Sequence, residues 1–313
     1  MKQNQILGGL FGLSIGDALG VPVEFIPREE RIKDPVTDMR GFGTHNQPPG
    51  TWSDDSSLAF CLCESLCTGY DLNDIGKRFV DWYDTGYWSA HGNVFDIGIG
   101  TRKAIQNLKG GMEPIKAGPR DEYSNGNGSL MRILPLAFYV EKEDITTQFN
   151  RAHEVSCLTH GHIRSQMACG IYTQIAVNLI GGMDKERSYE RMIDVVSEFY
   201  SSEPYIKEIQ HFKNILEKDF SEFSSDEISA SGYVIKTLEA SLWCLLKNDS
   251  YEKTVLAAVN LGEDTDTVGA IAGGLAGIHY GYKGIPKRWI ESIARKDEIY
   301  QLGKRLYQSL SNK

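Results

Sequence analysis

The sequence predicts an all-α chain, a single compact orthogonal bundle of about a dozen helices. Strand-like alternation of apolar and polar residues is almost absent along its 313 residues. Apolar residues recur instead at three- and four-residue spacing, which places them on one face of a helix. The composition, 41% hydrophobic and 24% charged, is that of a globular chain long enough to bury a large core.

Helices are expected over 3–19, 55–68, 72–84, 96–108, 129–140, 144–157, 162–181, 187–200, 204–218, 229–247, 251–261, 267–280 and 287–311, the last interrupted near Ala294. The first carries an apolar run that ends at Asp17, and the second follows the acidic doublet of TWSDDSSLAF. A glycine-and-asparagine turn, NGNG, opens the segment 129–140. His160 and His162 stand at the start of 162–181, and the polar stretch 201–228 reads as a peripheral helix with loops. Two long connections separate these elements. Residues 26–52 hold Pro27, Pro35, Pro48 and Pro49, and residues 110–128 are rich in Gly and Asn. Loops of that length in a compact domain are more often functional than neutral.

Several function classes are disfavoured. The net charge of −9, with no Lys/Arg block, speaks against a nucleic-acid surface, which needs clustered cations. The N-terminal apolar stretch has one Lys, no small-residue cleavage site and an internal Asp17, so it does not read as a signal peptide. No stretch approaches the roughly 20 apolar residues that span a bilayer, and a soluble, cytoplasmic protein is expected. The six cysteines form no C-x-x-C pair and read as small buried hydrophobes. There is no P-loop, no G-x-G-x-x-G after a strand and no G-x-S-x-G.

Two acidic clusters, about 210 residues apart, each precede an apolar helix: Ser53-Asp54-Asp55 and Asp264-Thr265-Asp266-Thr267. The second resembles the opening of an EF-hand loop, but its twelfth position is Leu275 where a bidentate Glu is required. Helix capping explains one side-chain oxygen per cluster, and each cluster supplies at least three. If the two helices start side by side, four carboxylates converge and need a cation. Hard oxygen ligands point to Mg²⁺, Mn²⁺ or Ca²⁺, and shared carboxylates suit two ions. Asp17 and Glu24 also interrupt an apolar segment, and Ser129 and Arg132 follow the NGNG turn, whose backbone N–H groups suit an anion.

Taken in order, GDALGVPVEF, TWSDDSSLAF, FDIGIGTRKA, NGNGSLMRILPLAF, THGHIRSQMACGIY, SGYVIKTLEASLWCLL and NLGEDTDTVGAIAGGLAG resemble the ADP-ribosylglycohydrolase family, from residue 16 to about 280. The resemblance leans to the branch of dinitrogenase-reductase-activating glycohydrolases, which hydrolyse ADP-ribosyl-arginine. It implies one domain over 1–313, with two Mg²⁺ or Mn²⁺ ions held by Ser53, Asp54, Asp55, Asp264, Asp266 and Thr267. Ser53 stands where many family members have Thr. Asp96 and Glu24 would be the catalytic carboxylates. Gly126, Asn127, Gly128, Ser129 and Met131 would line the ADP-ribose cleft, and His160 would orient ribose or pyrophosphate. The implied substrate is an ADP-ribosylated protein, with ADP-ribose the product. The chain would be a monomer by default. Other linkages (serine, O-acetyl-ADP-ribose, a nucleic acid base) and a non-catalytic relative remain open alternatives.

Overall fold

The first helix, α1 (Gln3–Gly20), and a later one, α13 (Thr265–Tyr280), lie antiparallel at the centre of the molecule, closer than ordinary side chains permit. A Cβ on Gly8, Gly12 or Gly16 would stand 2.1, 2.3 or 2.0 Å from the carbonyl oxygens of Gly277, Gly273 and Gly269 respectively. On Gly20 it would stand 2.3 Å from Asp266 Cα. Glycine at every fourth residue of both helices therefore lets the backbones touch, and it fixes Asp266 beside the C-terminal end of α1.

The computed structural model describes residues 2–217 and 219–312. Within them the chain is all-helical, and its only β-type pairings are two isolated bridges, Phe42 with Gln47 and Gly126 with Tyr233. Around the central pair run α2 (Arg28–Lys33), α3 (Asp54–Leu66), α4 (Leu72–Thr85), α5 (Ile99–Lys109), α6 (Pro114–Ala117), α7 (Leu134–Val140), α8 (Ile145–Cys157), α9 (Ile163–Ile180), α10 (Lys185–Phe199), α11 (Val234–Lys247), α12 (Tyr251–Val259), α14 (Lys287–Ser292) and α15 (Lys296–Ser311).

Most of the expected segments are present, and the departures have local causes. The segment 129–140 is helical only from Leu134. Pro135 cannot donate to an upstream carbonyl, so it fits the first turn of α7 and would break a helix begun at Ser129. Residues 125–131 instead fold as a turn, with Leu130 N and Met131 N donating to Asn127 O at 2.8 and 3.1 Å. The helix expected over 204–218 is a series of turns with one 3-10 turn at Ile209–Phe212; its last residue, Lys218, lies outside the described residues. Phe212, Ile215 and Phe220 are fully buried there, and short turns seat those anchors without a continuous helix. The break near Ala294 is present, between α14 and α15, where Ala294 N donates to Gly50 O at 2.9 Å. The long connection 26–52 contains the short α2, which periodicity did not suggest.

One expectation about the N-terminus needs correction. By length and composition Gln3–Val23 could cross a bilayer, with a mean hydropathy of 1.6 over its best window. All of that window is buried inside the bundle, so its apolarity serves the core, where helix packs on helix on every side. The buried cysteines Cys61, Cys63, Cys157, Cys169 and Cys244 pack as expected, and no described cysteine is in a disulfide.

Candidate active site

The N-termini of α3 and α13 meet at the end of α1. Ser53 caps α3, its Oγ accepting from Asp55 N at 3.3 Å. A second cap comes from Asp17 on α1, whose carboxylate accepts from Ser53 N (2.9 Å), Ser56 N (3.0 Å) and Ser56 Oγ (2.5 Å). With Asp17 and Ser53 serving the helix end, Asp54 and Asp55 are surplus to capping. Asp264 occupies the N-cap position of α13 but makes no side-chain cap bond. Its Oδ2 instead accepts from Asn127 Nδ2 at 2.8 Å, and the same Nδ2 reaches Thr237 Oγ1 at 3.0 Å. Capping alone accounts for neither cluster.

The two clusters converge. Thr267 Oγ1 lies 3.4 Å from Asp55 Oδ1, across 212 residues of sequence. One oxygen each from Asp17, Asp55 and Asp266 falls within 4.8 Å of the others, and so do oxygens of Glu24, Asp264 and Asp266. Asp55 Oδ2 and Asp266 Oδ2 are buried with no hydrogen-bond partner among the described residues, an expensive state for a carboxylate. Burial first, then neighbouring carboxylates, pushes Asp54, Asp55 and Asp266 well above the usual carboxylate range. Burial likewise raises Asp264, and raises Asp17 to about 7 against the bonds from Ser56 and Ser53. Orphaned buried oxygens in a hard, all-oxygen donor set fit a divalent cation of the Mg²⁺ or Mn²⁺ type.

Above the carboxylates opens a cleft of about 620 Å³. Of the residues singled out from sequence, Glu24, Asp54, Asp96, Gly126, Asn127, Gly128, Met131, His160, Asp264 and Thr267 line it. Ser53, Asp55 and Asp266 are buried beneath, 2%, 1% and 1% exposed. Ser129 is not on the cleft wall. It is fully buried and accepts from Ser156 Oγ at 3.0 Å, because the turn that replaces the expected helix start points it into the core. The bundle thus gathers the whole predicted set except Ser129.

Two residues gain importance that their sequence context did not give them. Asp17 was legible as a polar interruption of an apolar helix, yet its task as the carboxylate that holds the start of α3 depends on tertiary contact. His45, in the Pro/Gly-rich connection, hydrogen-bonds Glu24 Oε2 through Nε2 and lies 3.9 Å from Asp96 Oδ1. Its bond to Glu24 raises His45, while burial lifts Glu24 to about 8 against that bond. Asp96 itself has φ 53°, a left-handed backbone held at the cleft wall.

The sequence model of the ADP-ribosylglycohydrolases matches residues 1–313, the full length of the chain. The chain belongs to the ADP-ribosylglycohydrolase family. As a member of it the chain is a hydrolase, and the expected family and all-α fold are both borne out. It is 34% identical over 304 residues to the ADP-ribosylarginine hydrolase Tri1 of Serratia proteamaculans (strain 568), covering 96% of this chain and 78% of that one. It is 29% identical over 301 residues to the ADP-ribosyl-[dinitrogen reductase] glycohydrolase of Rhodospirillum rubrum, covering 94% and 92%. A solved structure described as an ADP-ribosylglycohydrolase-related protein complex superimposes with a TM-score of 0.81 at 31% identity, covering 98% of each chain. The glycohydrolase fold here thus brings its two acidic helix starts to one cleft.

Proposed function

We propose that this chain is a metal-dependent hydrolase that removes ADP-ribose from modified protein side chains, most readily from arginine, and so reverses mono-ADP-ribosylation. One observation carries the reading: four carboxylates from two helix starts converge at the foot of the cleft, and Asp55 Oδ2 and Asp266 Oδ2 have no donor among the described residues. Ser53, Asp54, Asp55, Asp264, Asp266 and Thr267 would hold two Mg²⁺ or Mn²⁺ ions. Bound there, the cations would supply positive charge to hold ribose hydroxyls and to activate water. The arginine linkage draws support from the similarity to relatives named ADP-ribosylarginine hydrolase.

The chain's own residues have separable tasks in this scheme. Asn127 orients Asp264, and Asp17 orients the start of α3 that carries Asp54 and Asp55. Asp96 pairs with the guanidinium of the substrate, a charge-assisted contact that favours arginine over a neutral side chain. As the bond from the anomeric carbon to the guanidine nitrogen breaks, that carbon takes on oxocarbenium character. A water oxygen bonds to it and loses a proton to a carboxylate, while the departing nitrogen gains one. Glu24, raised by burial and held by His45, would be the carboxyl that exchanges that proton.

The experiment is release of free ADP-ribose from arginine-linked and serine-linked peptides by one enzyme preparation, with and without chelator. Arginine-specific, chelator-sensitive release is expected. Preferential release from serine overturns the linkage, and AMP as product overturns glycosidic cleavage.

A further inference from the structure

The cleft wall behind Gly126 and Gly128 hides a buried cation with no acid paired to it among the described residues. Arg132 is fully buried, and its Nε and Nη1 have no hydrogen-bond partner among the described residues. Its guanidinium carbon stands 4.6 Å from the centre of the Phe79 ring. Only Nη2 is engaged, donating to the Val155 carbonyl at 3.0 Å and to Thr159 Oγ1 at 2.7 Å. A guanidinium can only donate, so Thr159 Oγ1 accepts in that contact. The other neighbour of the hydroxyl is His160 Nδ1, at 3.0 Å. Thr159 is fully buried, and its single hydroxyl proton has no other acceptor among the described residues. If Nδ1 carried a proton, two protons would face each other across that contact, or the hydroxyl proton would be left buried and unpaired.

We infer that Arg132 and Thr159 form a relay that fixes His160 as the neutral Nε2–H tautomer, making it a hydrogen-bond donor to an acceptor oxygen of the cleft's ligand. The space at Nε2 fits this role. A Cβ on Gly100 would come within 3.0 Å of Nε2, one on Gly126 within 3.6 Å, and one on Gly128 within 2.7 Å of Cε1. Three glycines thus keep the cleft edge of the ring open, and no described residue bonds Nε2. Burial and the Arg132 charge push His160 down to about 3, so the ring is neutral at ordinary pH. The opposite tautomer would turn a lone pair toward the ligand and repel an oxygen. Arg132 and Thr159 are positioning residues, since neither faces the cleft. The ligand half of this inference rests on the reading of the cleft as an ADP-ribose site; the tautomer does not.

The test is long-range ¹H–¹⁵N correlation on histidine-labelled protein, with His160 assigned by loss of its signals in His160→Gln. Wild type should have a pyridine-type Nδ1 and a pyrrole-type Nε2 from pH 6 to 8. Thr159→Val, which removes the hydroxyl at nearly constant volume, should give a mixture of tautomers and weaken ADP-ribose binding about five- to tenfold, the scale of one ordinary hydrogen bond. Thr159→Ser, which keeps the hydroxyl, should restore both. An Nδ1–H tautomer or a charged ring in wild type overturns the relay, and so does a Thr159→Val spectrum identical to wild type. The Nε2–H tautomer in a wild type that binds no ADP-ribose upholds the relay and defeats the proposed ligand instead.

Discussion

Gly16→Ala probes the contact that holds the site together. The added Cβ would lie 2.0 Å from Gly269 O, about 1.4 Å inside the roughly 3.4 Å at which ordinary contact begins. Its obstacle is the backbone of α13, which no rotamer change can move aside. Overpacking of this kind costs about 1–3 kcal/mol and sometimes more, while alanine returns about 1 kcal/mol of helix propensity. Because backbone has to move, the cost falls at the upper end of that range, and the net loss of about 2 kcal/mol should lower the midpoint of thermal unfolding by on the order of 3 °C in a chain of this size. The same displacement should pull Asp17 on α1 away from Asp266 on α13, so the further stabilisation given by Mg²⁺ should shrink. Melting curves with and without Mg²⁺ read both effects. Gly76→Ala is the control. Its nearest neighbour is the flexible end of Leu108 at 3.3 Å, so it should melt at or slightly above wild type. If Gly16→Ala melts like wild type with an undiminished Mg²⁺ increment, the reasoning from backbone contact is wrong.

Further outcomes follow from burial and charge. Asp54→Asn and Asp266→Asn should each lower hydrolysis at least a hundredfold while circular dichroism stays native; near-normal turnover in either removes that residue from the cation site. Asp96→Asn should keep ADP-ribose affinity in a titration and lose turnover. Burial and its acidic neighbours hold Asp55 above its unfolded pKa, so its ionisation destabilises the metal-free fold as pH rises. Metal-free Asp55→Asn should therefore melt above wild type at pH 8. His153 shifts the other way, from 6.5 down to about 4 by burial. The unfolded chain binds that proton first, so the contribution is complete above pH 6.5 and is lost as pH falls toward 4, up to about 3 kcal/mol. Comparing urea midpoints of wild type and His153→Gln at pH 7 and pH 4.5 isolates that contribution.

The fold was legible because nearly every long segment carries a three- and four-residue apolar period, which tertiary context did not override. The elements that failed lacked a continuous period or carried a proline that the period ignores, as at Pro135. The acidic clusters were legible one by one as surplus oxygens before apolar helices. Their meeting was not, because nothing local to TWSDDSS or GEDTDT records that Thr267 faces Asp55 across 212 residues. The signal that would have joined them is the glycine at every fourth residue of α1 and α13, a pattern of close helix approach. Ser129 misled because a GNGS turn before an apolar run reads as a helix start, and its true direction depends on where the turn ends. His45 had no sequence signal at all, since a single His in a Pro-rich connection acquires a role only when the loop folds back on Glu24.

The most direct measurement is hydrolysis of an arginine-linked ADP-ribosyl peptide by wild-type enzyme stripped with chelator and then titrated with Mg²⁺ or Mn²⁺. ADP-ribose release should be absent in the stripped enzyme, return with added cation, and fail to return in Asp54→Asn. Undiminished release from the stripped enzyme would contradict the converged carboxylates as a cation site.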